Sequence, residues 1–257
     1  MQFTHSTHEI PSAALQKSSQ QILERPPLRG QSFSELFNEN KMRFIPFINN
    51  NKNVHKPMII SIEGNIGAGK STLLAQICDD NSTFFEETSL RKYKFEPSEI
   101  VCMQEPVGVW ESVKDPVTGE SILQLFYKDP LKYAFAFQVM AYTSRLETFR
   151  KIVRECPECK LILCERSLEA DSNIFAKMMR DDGMIDEVSY QVYKTLYDAT
   201  ASDFALDGVY YLDVAPEVCL ERIAKRAREG ESGITLEYLT KCDKYHREWL
   251  ELEPRIA

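Results

Sequence analysis

Much of what this chain could have been is excluded by what it lacks. No apolar run approaches the roughly 18 consecutive residues that a membrane-spanning helix needs, so no membrane partner is expected. Basic residues are the minority, 31 Lys and Arg against 39 Asp and Glu, for a net charge of −8. That balance argues against nucleic acid as a partner and leaves a local basic pocket for a small charged substrate. No secretory leader pattern opens the chain, and the seven cysteines are odd in number, which points to a reducing compartment. Cys156 and Cys159 are the one close pair; with no second pair to complete a zinc ribbon, they read as a helix-to-strand turn. What the chain does have is 43% hydrophobic residues, ample for one substantial α/β domain.

The most informative stretch runs from Ile59 to Thr72. A short β-rich apolar run, Met58 to Ile62, leads directly into Gly64-Asn65-Ile66-Gly67-Ala68-Gly69-Lys70-Ser71 and then into the helical residues after Thr72. This is a phosphate-binding loop in its required context, a strand before it and a helix after it. Glycines let the backbone turn tightly, so that successive N–H groups point into one anion-sized hollow. The helix N-terminus adds positive potential, Lys70 can reach the outer phosphates, and Ser71 offers a hydroxyl to Mg²⁺. A nucleoside triphosphate is the expected ligand.

Residues 1–55 differ in character: Ser, Gln, Asn and His abound, Pro26 and Pro27 adjoin, and no period is sustained. They read as a disordered N-terminal extension. An organellar transit peptide is the alternative, which Glu9, Glu24, Glu35 and Glu39 argue against; the cytoplasm is therefore the expected compartment and the mitochondrion the alternative. Beyond the loop, strands are expected at Ile100–Gln104, Leu161–Cys164 and Val209–Asp213. Leu131 to about Arg154 carries apolar residues at three- and four-residue spacing and predicts a long amphipathic helix, whose positions Gln138 and Arg145 share a face. Ser167 caps a helix towards Met179, Pro216 opens another, which Gly230 and Gly233 break, and Leu236–Leu250 is the last. Near-continuous apolar strands separated by helices predict a parallel sheet covered on both faces, with ligands at the strands' carboxyl ends.

That rule gathers the phosphate loop, Glu105 and the Glu165-Arg166 dipeptide at one crevice. A kinase acting on a hydroxyl needs a base, Mg²⁺ ligands and positive charge around the moving phosphoryl group. Glu105, held by Pro106, is placed to be the base; Glu165 can hold Mg²⁺ directly or through water; Arg166 can bridge acceptor and phosphates. Arg222, Arg226 and Arg228 precede a Gly-containing loop and read either as a solvated basic face or as a lid closing over the phosphates.

Five ordered motifs resemble the deoxyribonucleoside kinases: Ile62 to Thr72, Glu105-Pro-Val with Trp110, Phe137-Gln138 with Arg145, Glu165-Arg166-Ser167, and Arg222 to Arg228 followed by Gly-Ile-Thr-Leu-Glu-Tyr-Leu239. The similarity runs from about Pro57 to Leu250, which makes residues 56–257 the kinase domain. It implies an α/β fold of the P-loop NTPase type and transfer of the γ-phosphoryl of ATP, or another nucleoside triphosphate, to the 5′-hydroxyl of a deoxynucleoside in salvage. It also implies Mg²⁺ at Ser71 and Glu165, and a homodimer. Glu105 would take the 5′-hydroxyl proton beside Arg166, Tyr127 and Glu231 would bind the 3′-hydroxyl, and Gln138 would read the base among Phe137, Phe175 and Trp110.

Arg145 and Asp171 match the pair that deoxycytidine and deoxyguanosine kinases place in the base pocket, which favours deoxycytidine, deoxyadenosine or deoxyguanosine over thymidine. Ala141 leaves room consistent with that pocket. Family members continue past the last helix into a further strand, expected at a sheet edge, which this chain lacks before Ala257. Two other readings stand beside this one: a non-catalytic nucleotide-binding or structural subunit of the same fold, and a nucleoside-monophosphate kinase.

Overall fold

Strand-forming sequence converges on one five-stranded sheet in the computed structural model, which describes residues 41–47, 56–79, 81–228 and 231–252. The strands are β1 (Met42–Pro46), β2 (Met58–Gly64), β3 (Ile100–Met103), β4 (Leu161–Glu165) and β5 (Gly208–Leu212), in the spatial order β1-β5-β2-β4-β3. Four of them run parallel, and β1 is antiparallel to β5 on one edge. β1 corrects the reading of residues 1–55: Met42–Pro46 lies inside the segment taken as a disordered extension and is a strand of the sheet. Its alternation, Met42 buried and the Phe44 ring tilted against Tyr210 at 4.8 Å, shows why. Residues 1–40 and 48–55 of that segment lie outside the described residues.

The helices follow as α1 (Lys70–Asp79), α2 (Asn81–Glu87), α3 (Val107–Ser112), α4 (Ile122–Lys128), α5 (Pro130–Glu155), α6 (Leu168–Ala170), α7 (Lys177–Asp181), α8 (Glu187–Thr200), α9 (Pro216–Arg226) and α10 (Leu236–Trp249). A π-helical turn, Asp171–Ala176, joins α6 to α7, so the helix expected after Ser167 is interrupted where Asp171 must face inward. Ser167 caps it as expected, accepting from the Ala170 N–H. In α5, Asp129 caps the start with Pro130 in the first position. Cys156 and Cys159 form the turn between α5 and β4, with Cys159 N–H donating to Cys156 O at 3.0 Å.

The period of two in the strands splits the core between two faces. Ile60, Ile62, Leu163 and Leu212 pack against Leu73, Leu74 and Ile77 of α1 and Ile223 of α9. Ile59, Ile162, Cys164 and Tyr211 pack against Tyr142, Leu146 and Phe149 of α5 and Tyr193 of α8. Each such aliphatic side chain contributes roughly 1.5–3 kcal/mol by leaving water, and the sheet is thereby covered on both sides, as expected. A third cluster, Trp110, Phe126, Phe137 and Met179, builds a separate apolar wall from α3, α4, α5 and α7. Among the described residues no helix is long and apolar enough to cross a membrane.

Candidate active site

The turn out of β2 needs glycine for measurable reasons. Gly64 has φ 143°, and a Cβ there would come within 2.8 Å of the Leu212 carbonyl; Gly67 has φ 81°, and its Cβ would meet the Cys219 carbonyl at 2.6 Å. The loop is anchored from several sides. Asn65 donates from Nδ2 to Leu239 O of α10 at 2.8 Å and accepts the Ile66 N–H at Oδ1, while Arg222 donates to Ala68 O at 2.8 Å. Lys70 folds back over the loop, giving Nζ bonds to Gly64 O (3.2 Å) and Asn65 O (2.9 Å). Burial and the nearby Arg166 push its pKa down to about 8, against the pull of Glu165, Glu105 and Glu63. Ser71 Oγ donates to Glu165 Oε1 at 2.7 Å, joining the start of α1 to the end of β4.

Register brings Glu105 and the Glu165-Arg166 pair to the same end of the sheet. Ile62 stands opposite Glu165, and Met103 opposite Cys164, so the residues following β2, β3 and β4 emerge together. Arg145, on the inner face of α5 and 0% exposed, is the hub. It gives Nε to Asp171 Oδ2 at 2.9 Å, Nη1 to the Glu165 carbonyl at 2.9 Å, and Nη2 to Glu105 Oε1 at 3.3 Å and Asp171 Oδ1 at 3.4 Å. Arg166 reaches the same Glu105 oxygen from the other side, with Nε at 3.1 Å. Its backbone holds φ 63°, a left-handed conformation that a non-glycine residue keeps only where its surroundings impose it. The guanidinium lies over the Phe175 ring, 4.5 Å from the centroid. Burial works to raise the Glu105 carboxyl, but Arg166, Arg145 and Lys70 together outweigh it and hold the group below its ordinary value.

The apolar wall adjoins this network. Trp110 donates from Nε1 to Ser144 Oγ at 2.9 Å and meets Phe137 edge-on at 5.4 Å; Phe137 stacks on Phe126 at 4.7 Å. Gln138, one residue along α5, is 2% exposed, and its amide oxygen has no protein partner. Near Tyr127 a cavity of about 250 Å³ is lined by Phe126, Tyr127, Met184, Ile234 and Tyr238. Burial and the Glu231 carboxylate raise the Tyr127 hydroxyl above its ordinary value, which keeps it a donor. Glu231 itself is buried and takes Arg228 Nη1 at 3.2 Å together with Arg226 Nη2.

A loop for phosphates beside a carboxylate held between two buried arginines belongs to phosphoryl transfer to a hydroxyl, and comparison with known proteins agrees. The deoxynucleoside kinase family model matches residues 60–254. The chain belongs to the deoxynucleoside kinase family. It is 35% identical to a rat deoxycytidine kinase and 34% identical to a human one, covering 74% of this chain and 74% of each relative. A mitochondrial deoxyguanosine kinase of Xenopus laevis is 31% identical over 74% of this chain and 72% of its own length. The chain is thus an enzyme of the phosphotransferase class.

In this kinase the structure brings Lys70, Glu105, Arg145, Glu165, Arg166 and Asp171 together in one connected network. Arg222, Arg226 and Arg228, read from sequence as a basic face or a lid on one helix, are arranged differently in the structure. Helix α9 ends at Arg226, before either glycine, because Ala227 takes the left-handed conformation at φ 49°. Arg228 therefore lies beyond the helix, and Arg226 and Arg228 grip Glu231, while Arg222 alone of the three touches the phosphate loop. Ser71 and Glu165 present two oxygens 2.7 Å apart, a donor set that suits a hard cation. Among the described residues no group of three or more His, Cys, Asp and Glu can hold a metal, so the pair fits an ion that takes its remaining ligands from phosphates and water. Two residues behind the site escaped the sequence reading: Glu63, a carboxylate inside an apolar strand, and His246 on α10, both fully buried. The signal for Glu63 was there, since an acid in a strand covered on both faces needs a reason.

Proposed function

We propose that the chain transfers the γ-phosphoryl group of ATP, or another nucleoside triphosphate, to the 5′-hydroxyl of a deoxynucleoside, preferring deoxycytidine and the purine deoxynucleosides over thymidine. The observation that carries this reading is Glu105 Oε1 held between Arg145 Nη2 at 3.3 Å and Arg166 Nε at 3.1 Å. Three cations keep that carboxylate ionised through the neutral range, ready to accept the hydroxyl proton as the phosphoryl group moves. The phosphates would lie in the loop from Gly64 to Thr72 with Lys70 against their outer oxygens, which favours its charged form. Arg222, Arg226 and Arg228 act as the lid, the latter two on release from Glu231. Ser71 and Glu165 would hold Mg²⁺, which would supply charge neutralisation for the triphosphate.

On the acceptor side, Tyr127 and Glu231 bind the 3′-hydroxyl. The Gln138 amide, whose oxygen has no protein partner, meets the base edge between Phe137, Trp110 and Phe175. The buried Arg145–Asp171 pair fills the space a thymine methyl would need and offers polar partners to an amino-bearing or purine base. Names of the relatives, deoxycytidine and deoxyguanosine kinases, support the same preference. The kinase domain in this reading begins before residue 56, since β1 belongs to its sheet; the enzyme acts as a cytoplasmic homodimer. The intact, connected set Lys70, Glu105 and Arg166 favours turnover over a non-catalytic subunit.

The test is a radiometric screen of the four deoxynucleosides with each nucleoside triphosphate in the presence of Mg²⁺. Phosphorylation of deoxycytidine or a purine deoxynucleoside is expected; thymidine as the sole good acceptor would overturn the Arg145–Asp171 argument. Sedimentation of the purified chain reads its oligomeric state.

A further inference from the structure

We propose that Glu63 is a positioning residue that holds Arg166 from behind, opposite Glu105, and so sets the orientation in which Arg166 meets the reacting oxygens. The proposal rests on the kinase reading above. Glu63 is the penultimate residue of β2 and is 0% exposed. Its Oε1 accepts two hydroxyls, Ser61 Oγ and Ser167 Oγ, each at 2.8 Å. Those two bonds come from β2 and from the cap of α6, so they fix the plane of the carboxyl group and leave Oε2 as its working atom. Oε2 has no hydrogen-bond partner and lies 4.0 Å from Arg166 Nη1, which also has none.

The rest of Arg166 is restrained on other sides. Its Nε is on Glu105, its guanidinium plane faces Phe175, and its left-handed backbone receives support from the Arg166 N–H bond to Ile62 O at 3.2 Å. A guanidinium is a rigid fork, so acids on two of its nitrogens dictate where the remaining donors point. Of the other buried titratable groups around Arg166, Asp171 is engaged by Arg145, and His246 spends Nδ1 on the Cys242 carbonyl at 2.6 Å, while burial with the field of Arg166 keeps its imidazole neutral. A strand covered on both faces would accept a leucine or a threonine at position 63 at far lower cost than a carboxylate, and the two serines that hold this one would then have no shared acceptor. A carboxylate so arranged is what orienting a catalytic arginine requires.

The experiment compares Glu63→Gln, Glu63→Asp and Ser167→Ala with the unaltered full chain. Gln keeps an acceptor for the two serines but turns an amide towards Arg166. Kinetics with deoxycytidine and ATP should show kcat falling about tenfold or more in Glu63→Gln with both KM values nearly unchanged, a smaller fall in Ser167→Ala, and partial recovery in Glu63→Asp. Arginine Nε–H resonances, assigned with an Arg166→Lys variant, supply a readout that does not need turnover. The Arg166 signal should shift and its proton exchange accelerate in Glu63→Gln while the Arg145 signal stays in place. An unmoved Arg166 signal, or kcat within twofold of the parent, would overturn the proposal. If the parent phosphorylates no deoxynucleoside, the kinase reading fails, and the resonance comparison still decides whether Glu63 orients Arg166.

Discussion

Arg145 and Arg226 are each paired with an acid beside the same crevice. Arg145 is 0% exposed, bonded to Asp171 and Glu105 and to a strand-end carbonyl, on a helix of 26 residues. Arg226 is 26% exposed, at the last position of α9, with Ala227 turning the chain away behind it. A buried pair cannot be half-made: removing one partner strands a charge in a low dielectric, at a cost of about 3–5 kcal/mol. A partly exposed arginine, such as Arg226 on the buried Glu231, is screened by water on its open side and exchanges partners at lower cost than Arg145. Under the proposed function, the acceptor wall is therefore built to stay, and the lid to let go. In that reading the same residue type serves a fixed pocket and a mobile clamp, and burial decides which.

The contrast can be broken most sharply at its centre. Glu105→Gln, with the fold checked by circular dichroism, should lower kcat by about 10²–10⁴-fold; near-parental turnover would remove the proposed base. Next in size, Arg145→Met should reduce the denaturant-measured stability by about 3–5 kcal/mol, and adding Asp171→Leu should recover a large part. A single-variant loss below about 1 kcal/mol would show that the wall is no more fixed than the lid. Donor binding should depend on pH through Lys70. A cation whose pKa is lowered to about 8 loses its charge as pH rises through that value, so the KM for the triphosphate should climb between pH 7 and pH 9 and stay flat below. A KM independent of pH across that window would detach Lys70 from the phosphates. Smallest of all, Arg228→Ala should leave stability within about 1 kcal/mol of the parent while raising the triphosphate KM several-fold. A stability loss like that of Arg145→Met would erase the contrast.

The donor side was legible because its requirements are local. Glycine spacing, a strand before and a helix after are all contiguous in sequence, and Gly64 and Gly67 stand where only glycine fits. The long α5 was equally plain from its period, which also placed Gln138 and Arg145 inward. What escaped depends on distant pairing. β1 pairs with β5 across 162 to 170 residues of sequence, and its five residues adjoin a polar segment whose composition masked them. The π-helical turn at Asp171 answers to Arg145, and Ala227 ends α9 without any glycine. Glu63 makes sense only beside Arg166, whose neighbour Ser167 helps hold it. Arg222, Arg226 and Arg228 read as one group in sequence; the turn at Ala227 divides them in space.

The edge strand has a practical side. β5 offers one row of backbone groups to β2 and the other to β1, so a shortened form beginning at Lys56, where the polar segment ends, would leave that second row bare. An unpaired strand of Gly208-Val-Tyr-Tyr-Leu212 is apolar, aromatic and free of charge, the kind of surface through which separate molecules join into fibres or precipitates. Anyone trimming this protein for crystallisation should cut no later than Lys41.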